Sequence, residues 1–323
     1  MKRFKKILFV ADSAVDNSAA LKRAITLAIN NQASLTMISV VGELPADRRM
    51  SIIAVTPREL MDSVVAEKRD QLADIARDAT FDEALQISVN VLVGREFLEI
   101  IREVLRNDHD LVVKSTGKHE RFKETLFSST DMHLMRKCPC PVWIIRQTDH
   151  EHYHRVLAAV DQDPEDSMTD ILNRQILEMS SSLAISEFSD LHIVHVWRLA
   201  HETLLRSPRL GYSGEDIDAM VREERDQRQR WLENLVNTLD GPAKNDAIEY
   251  LEPELHIKKG DPRSEVPRLA RELDVDLVVM GTLGRVGIPG FFMGNTAEEI
   301  LEQLDCSVLA IKPPGFVSPV SVT

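Results

Sequence analysis

The sequence is short of cysteine, of basic charge and of long apolar runs. Only three cysteines occur in 323 residues, Cys138, Cys140 and Cys306. So small and odd a number in a chain of this length argues against a disulfide framework. It points to a reducing compartment, and a cytoplasmic protein is expected. The formal net charge is −13. That opposes a general phosphate-backbone binder, which needs a basic face, so no nucleic-acid partner is expected. No apolar run reaches the roughly 18 residues of a membrane span, and no membrane partner is expected either. The run Ile7–Val10 follows a basic start, but Asp12 interrupts it too early for a signal peptide. It reads as a buried first strand. Also missing are a G-x4-G-K-[ST] loop, a nucleophile elbow, a serine–histidine–acid order and a metal-ligand set. Robust catalysis is therefore not expected, and no catalytic or metal-binding residue is assigned.

What is present is ordinary globular composition, 43% hydrophobic and 28% charged. At roughly 100–200 residues per domain the length suggests two domains, each large enough to bury its own core. The sequence repeats itself accordingly. Val91 to Val113 and Ile257 to Val279 align without a gap, with Gly94 opposite Gly260 and Asp110-Leu111-Val112-Val113 opposite Asp276-Leu277-Val278-Val279. The same offset carries Cys140-Pro141-Val142 onto Cys306-Ser307-Val308. Nearer the start of each half the offset falls: KKILFVAD ending at Asp12 matches HRVLAAVD ending at Asp161, so the second half carries extra residues in its middle.

Each half alternates five short apolar runs with helical stretches, which means parallel sheets with helices on both faces. The runs are 7–11, 35–41, 87–93, 110–113 and 142–146 in the first half. They are 156–160, 191–197, 254–258, 276–280 and 308–312 in the second. A long helix opens at Thr56-Pro57-Arg58-Glu59 with capping-box spacing, and Gly241-Pro242 stops its counterpart. The domains are placed at 1–147 and 154–313, with a mobile tail over 314–323. The two fifth runs are apolar and would be exposed edges in isolated domains. They are expected to pair antiparallel, making the halves an intramolecular pseudo-dimer.

Open α/β sheets bind ligands at the carboxyl ends of their strands. The fourth run of the second half ends at Met280-Gly281 and continues G-x2-G-x9-G-N through Gly281, Gly284, Gly294 and Asn295. Glycine lets backbone N–H groups approach phosphate oxygens. Thr296-Ala297-Glu298-Glu299 is expected to cap the following helix, whose start offers N–H donors to an anion. Asp161, at the tip of the first strand, can accept hydrogen bonds from a ribose or a base. The bland alternative is that these glycines only make turns.

This loop and its surroundings resemble the universal stress protein family in its tandem form, over nearly the whole chain. The family's nucleotide motif is G-x2-G-x9-G-[ST]. Here Asn295 stands where serine or threonine is usual. The resemblance implies two Rossmann-like, adenine nucleotide alpha-hydrolase-like domains, each a five-stranded parallel sheet. It also implies that ATP or a related adenine nucleotide, alone or with magnesium, binds in the second. Asp161 and Val196 would line the adenine and ribose pocket. Met280, Gly281, Gly284, Arg285, Gly294, Asn295 and Thr296 would surround ribose and phosphates. Arg285 reads equally well as a solvated surface residue.

The first half departs from the motif. Ser115, Lys118 and Ser128 replace the three glycines, although Asp12 and Val40 remain. Lys114, Lys118, Arg121 and Lys123 make this region basic, and it reads as a worn-out copy retained for packing. The histidines His150, His152 and His154 read as solvated linker residues, His195 as structural, and Cys140 and Cys306 as core residues. The function expected is a nucleotide-binding regulatory module of the stress response, with protein partners unknown. The alternatives are a slow ATPase, or a carrier or sensor of another small ligand in the first half.

Overall fold

A computed structural model describes residues 4–12, 15–43, 56–79, 85–116, 126–147, 152–163, 167–207, 210–238, 250–282 and 293–322. The chain divides into two compact units. One comprises residues 2–151 with 287–293 and 307–323; the other comprises 152–286 with 294–306.

The first unit is built on β1 (Lys6–Val10), β2 (Ser34–Val41), β3 (Ile87–Val93), β4 (Leu111–Thr116) and β5 (Val142–Arg146). They lie in the order β3-β2-β1-β4-β5, all parallel. Its helices are α1 (Ser18–Asn31), α2 (Pro57–Ala79), α3 (Glu96–Asn107) and α4 (Ser129–Lys137). Every residue of β4 is buried, as befits a central strand with neighbours on both sides. Helix α3 buries Phe97, Ile100, Ile101 and Val104, the i, i+3, i+4, i+7 stripe of a helix with one face on a sheet. The capping box of α2 forms as its spacing predicts. Thr56 N–H donates to Glu59 Oε2 at 2.8 Å, and Glu59 N–H donates to Thr56 Oγ1 at 3.2 Å.

This unit carries one strand more than expected. β10 (Ser307–Ile311), the last strand of the second repeat, lies here and pairs antiparallel with β5 through Val308↔Ile144, Leu309↔Trp143 and Ala310↔Val142. The reason is the apolar edge of β5, whose Val142, Trp143, Ile144 and Ile145 are all buried. The segment expected as a mobile tail carries hydrogen bonds to α3 and α4. Ser318 Oγ donates to Lys137 O at 2.8 Å, and Arg102 Nε donates to Ser321 O at 3.4 Å.

The second unit contains β6 (Arg155–Val160), β7 (Asp190–Trp197), β8 (Glu254–Lys259) and β9 (Leu277–Gly281), parallel in the order β9-β6-β7-β8. Its helices are α5 (Ser167–Glu187), α6 (Glu202–Leu205), α7 (Gly214–Asn237), α8 (Pro262–Glu272) and α9 (Asn295–Leu301). The short α6 lies between β7 and α7, in the middle of the repeat where extra residues were expected. The Gly241-Pro242 stop lies outside the described residues.

Gly94 and Gly260, which the repeat alignment places opposite each other, do the same work. Their φ angles are +143° and +155°. Their N–H groups donate to Val41 O and Trp197 O. A Cβ would meet Glu99 Cγ at 3.0 Å and Glu265 Cγ at 2.7 Å. Backbone conformation and space together exclude a side chain at both positions.

Candidate functional site

In the second unit the chain runs from β6 through β7 to β8, then returns to β9 on the other side of β6. The order reverses between β6 and β9, which opens a crevice at their carboxyl ends. Asp161 follows the last residue of β6, and Ala159 of β6 lies opposite Met280 of β9. The backbone around Asp161 is clamped by helix α5. Asp161 N–H donates to Asn173 Oδ1 at 3.1 Å, and Asn173 Nδ2 donates to Asp161 O at 2.5 Å. Across the crevice Gly294 N–H donates to Thr282 O at 3.1 Å. The two ends of the glycine loop therefore meet at the end of β9.

These contacts bring Met280, Gly281, Gly294, Asn295 and Thr296 to one place, with Asp161 on the neighbouring strand. Val196 sits near the carboxyl end of β7 and is buried. Gly284 and Arg285 lie outside the described residues. The helix start differs from the expected cap at Thr296. The N-cap is Gly294, with φ −61° and ψ 137°, and no side chain caps this end. Asn295 and Thr296 have already entered the helix, so Thr296 cannot be the cap.

Gly281 has a local explanation of its own. A Cβ there would meet Leu172 Cδ2 of α5 at 2.6 Å. Packing of α5 against the end of β9 thus favours glycine whether or not a phosphate approaches. Gly294 has an ordinary negative φ, so its conformation does not demand glycine.

His195 lies one residue before Val196. It is 1% exposed, its ring lies 4.8 Å from that of Trp231, and its Nδ1 is 3.3 Å from Val160 O. Burial pushes its pKa down to about 4, so the ring is neutral and packs as a structural residue.

The corresponding crevice of the first unit lies between β1 and β4. Asn17 clamps the Asp12 backbone as Asn173 does Asp161: Asn17 Nδ2 donates to Asp12 O at 2.7 Å. Here the crevice is filled from within. Lys114, at the repeat position of Met280, is 2% exposed. Its Nζ lies 3.3 Å from Asp12 Oδ2 and 3.2 Å from Asp131 Oδ1, the latter side chain being fully buried. Burial alone would lower the Lys114 pKa. Asp131, then Asp12 and Glu96, outweigh that and hold it above its usual value. Lys114 was expected to make this region basic; its charge is instead matched by carboxylates. Lys118, Arg121 and Lys123 lie outside the described residues.

Asp131 stands at the repeat position of Ala297, and it also caps α4. Ser128 N–H donates to Asp131 Oδ2 at 2.9 Å, and Asp131 N–H donates to Ser128 Oγ at 3.2 Å. The Ser128-x-x-Asp131 spacing was a readable signal for this box. The pairing with Lys114 was not readable, because it joins residues far apart in sequence. A second set was also invisible in the spacing: His192, Glu254 and His256 meet across β7 and β8.

Two doubly wound α/β repeats in tandem, one with a glycine loop at its switch point, define the class. The model of the universal stress protein family matches residues 3–146 and again 152–312. The chain belongs to that family. It is 27% identical to universal stress protein E of Escherichia coli strain K12 over 325 residues, 98% of that relative's length. It is also 27% identical to universal stress protein E of Photorhabdus laumondii over 326 residues, 98% of that relative. Among solved structures, the functionally unknown protein PA1789 of Pseudomonas aeruginosa shares 25% identity and a TM-score of 0.65, over 96% of this chain and 93% of that one.

Proposed function

We propose that the second repeat binds one adenine nucleotide, ATP or a close relative, and that its occupancy regulates a stress-response role through protein partners. The observation that carries this reading is the switch point between β6 and β9. Asp161, the end of β9 and the uncapped start of α9 converge there, and the loop between has its ends joined by the Gly294–Thr282 hydrogen bond. Backbone N–H groups of such a loop face an anion without a competing side chain. The contrast with the first repeat supports the same reading. At matching positions the first crevice holds Lys114 and Asp131, whereas the second holds Met280 and Ala297. One crevice supplies its own charges, and the other presents none at these positions. The module is a binder, with hydrolysis slow at most.

The test is calorimetric titration of the full chain with ATP. A fragment ending near residue 147 is unsuitable, because it would strip β10 from the apolar edge of β5. One site per chain is expected. Gly294→Val should weaken it by about 2 kcal/mol, roughly thirtyfold. A folded Gly294→Val protein that binds as the wild type does would remove the loop from the site. Ligands released from purified protein, identified by mass spectrometry, separate ATP from any other small ligand.

A further inference from the structure

Among the described residues, the strongest unassigned constellation lies at the opposite end of the second unit's strands. His192 is the third residue of β7, and Glu254 and His256 are the first and third of the edge strand β8. The parallel register sets His192 against Glu254 and Val194 against His256. All three side chains therefore fall on one face of the sheet. His192 Nδ1 lies 3.1 Å from His256 Nε2 and 3.5 Å from Glu254 Oε2, and Glu254 Oε1 lies 3.8 Å from His256 Nε2. Both imidazoles are largely buried, while the carboxylate reaches solvent.

We infer that His192, Glu254 and His256 form a binding site for a divalent transition-metal ion of the zinc class. Donor atoms about 2.0–2.1 Å from a tetrahedral ion stand about 3.3 Å from one another. The separations of His192 Nδ1 from His256 Nε2 and from Glu254 Oε2, 3.1 and 3.5 Å, bracket that value. A hydrogen bond between two neutral imidazoles would account for the first distance alone. It leaves unexplained why one carboxylate turns a separate oxygen toward each ring. Two imidazoles and a carboxylate suit zinc rather than magnesium or calcium, which prefer all-oxygen shells.

The surroundings agree. Glu254 places negative charge beside both rings. Asp190 adds negative charge near His192, and Arg155 adds positive. His192 Nε2 is buried without a hydrogen-bond partner. That ring is thus oriented by packing, not by an acceptor behind it, which makes for modest affinity. Three protein ligands leave a fourth position for water. The site stands at the amino ends of β7 and β8, while the glycine loop stands at the carboxyl end of β9. The ion would tie the edge strand β8 to β7, and it has no part in holding the nucleotide.

The experiment titrates chelator-stripped full-length protein with cobalt(II), followed by displacement with zinc(II). One cobalt per chain is expected, with the intense visible bands of a tetrahedral site. Glu254→Gln and His256→Gln should each weaken binding at least about tenfold while circular dichroism stays unchanged. Zinc should also slow amide exchange in β8 of the wild type. Glu254 is exposed, so its variant remains readable even if His256→Gln fails to fold. Absence of a stoichiometric site in the wild type overturns the inference. So does binding that survives Glu254→Gln undiminished, which would place the ion on other histidines, such as those near the linker.

Discussion

The Lys114 cluster makes a sharp prediction about the first repeat. Lys114→Met installs the residue that the second repeat carries at this position. It leaves Asp131 fully buried with its Oδ1 facing no cation. Removing one partner of a buried pair costs about 3–5 kcal/mol. The Ser128 N–H bond to Oδ2 persists, which places the cost near the lower end. Asp131→Ala alone strands the ammonium with Asp12, which is 26% exposed, and it also loses the α4 cap, worth about 1 kcal/mol. The double variant Lys114→Met/Asp131→Ala has neither stranded charge. It reproduces the Met280 and Ala297 pair of the second repeat. Its total loss should be about 1–2 kcal/mol, so the coupling between the two changes should be about 3 kcal/mol. Two units in one chain need not unfold together, so the readout is hydrogen exchange of the β1 and β4 amides rather than a single melting transition. Losses that add in the double variant would refute the reading of Lys114 as an internal occupant held by both carboxylates.

Three further outcomes follow from the geometry. Asn295→Ser restores the family's usual residue at the start of α9, so ATP affinity by calorimetry should hold or rise; a clear loss would show that Asn295 itself contacts the ligand. Acid should weaken the second unit through His195. Its folded pKa of about 4 lies below the ordinary 6.5. The unfolded chain therefore binds the extra proton first, and stability is full above pH 6.5 and falls as pH drops toward 4, by about 3 kcal/mol in all. Urea titrations at pH 7 and 4.5 on wild type and His195→Gln should show the dependence shrinking in the variant. Gly281→Ala should cost about 1–2 kcal/mol because Leu172 must move; if Leu172→Ala removes none of that penalty in the double variant, the packing account fails.

The alternation of apolar runs and helices was legible because each element is local. The α2 capping box, the α3 stripe and the strands of both sheets follow from spacing alone. Strand order was not so legible, yet the apolar runs Val142–Ile145 and Val308–Ile311 were enough to pair β5 with β10, since two apolar edges need covering. What spacing could not show is chemistry assembled across strands. Lys114 meets Asp12 and Asp131 only because β1, β4 and the start of α4 converge. His192 meets Glu254 and His256 only through a register between β7 and β8 that no motif encodes. The cap at Gly294 was misplaced for a related reason: Thr296-x-x-Glu299 has the right spacing, but Gly294 bonds to Thr282 and fixes the helix start before it.

The two repeats differ least in fold and most at the carboxyl ends of their central strands. Asp12 and Asp161 are held alike, the first by Asn17 at the N-cap of α1 and the second by Asn173 within α5. The divergence falls on the partners across the crevice. Where the first repeat has Lys114, Ser128 and Asp131, the second has Met280, Gly294 and Ala297. Each of these exchanges swaps a group that makes an internal polar contact for one that makes none. A lysine, a hydroxyl and a carboxylate close the first crevice on itself, by an ion pair and a capped helix. A thioether, a hydrogen and a methyl group leave the second helix without a side-chain cap. Simple decay would scatter polar residues without pairing them, and a buried unpaired charge would be strongly destabilising. The pairing of Lys114 with two carboxylates therefore marks the first crevice as rebuilt rather than merely worn.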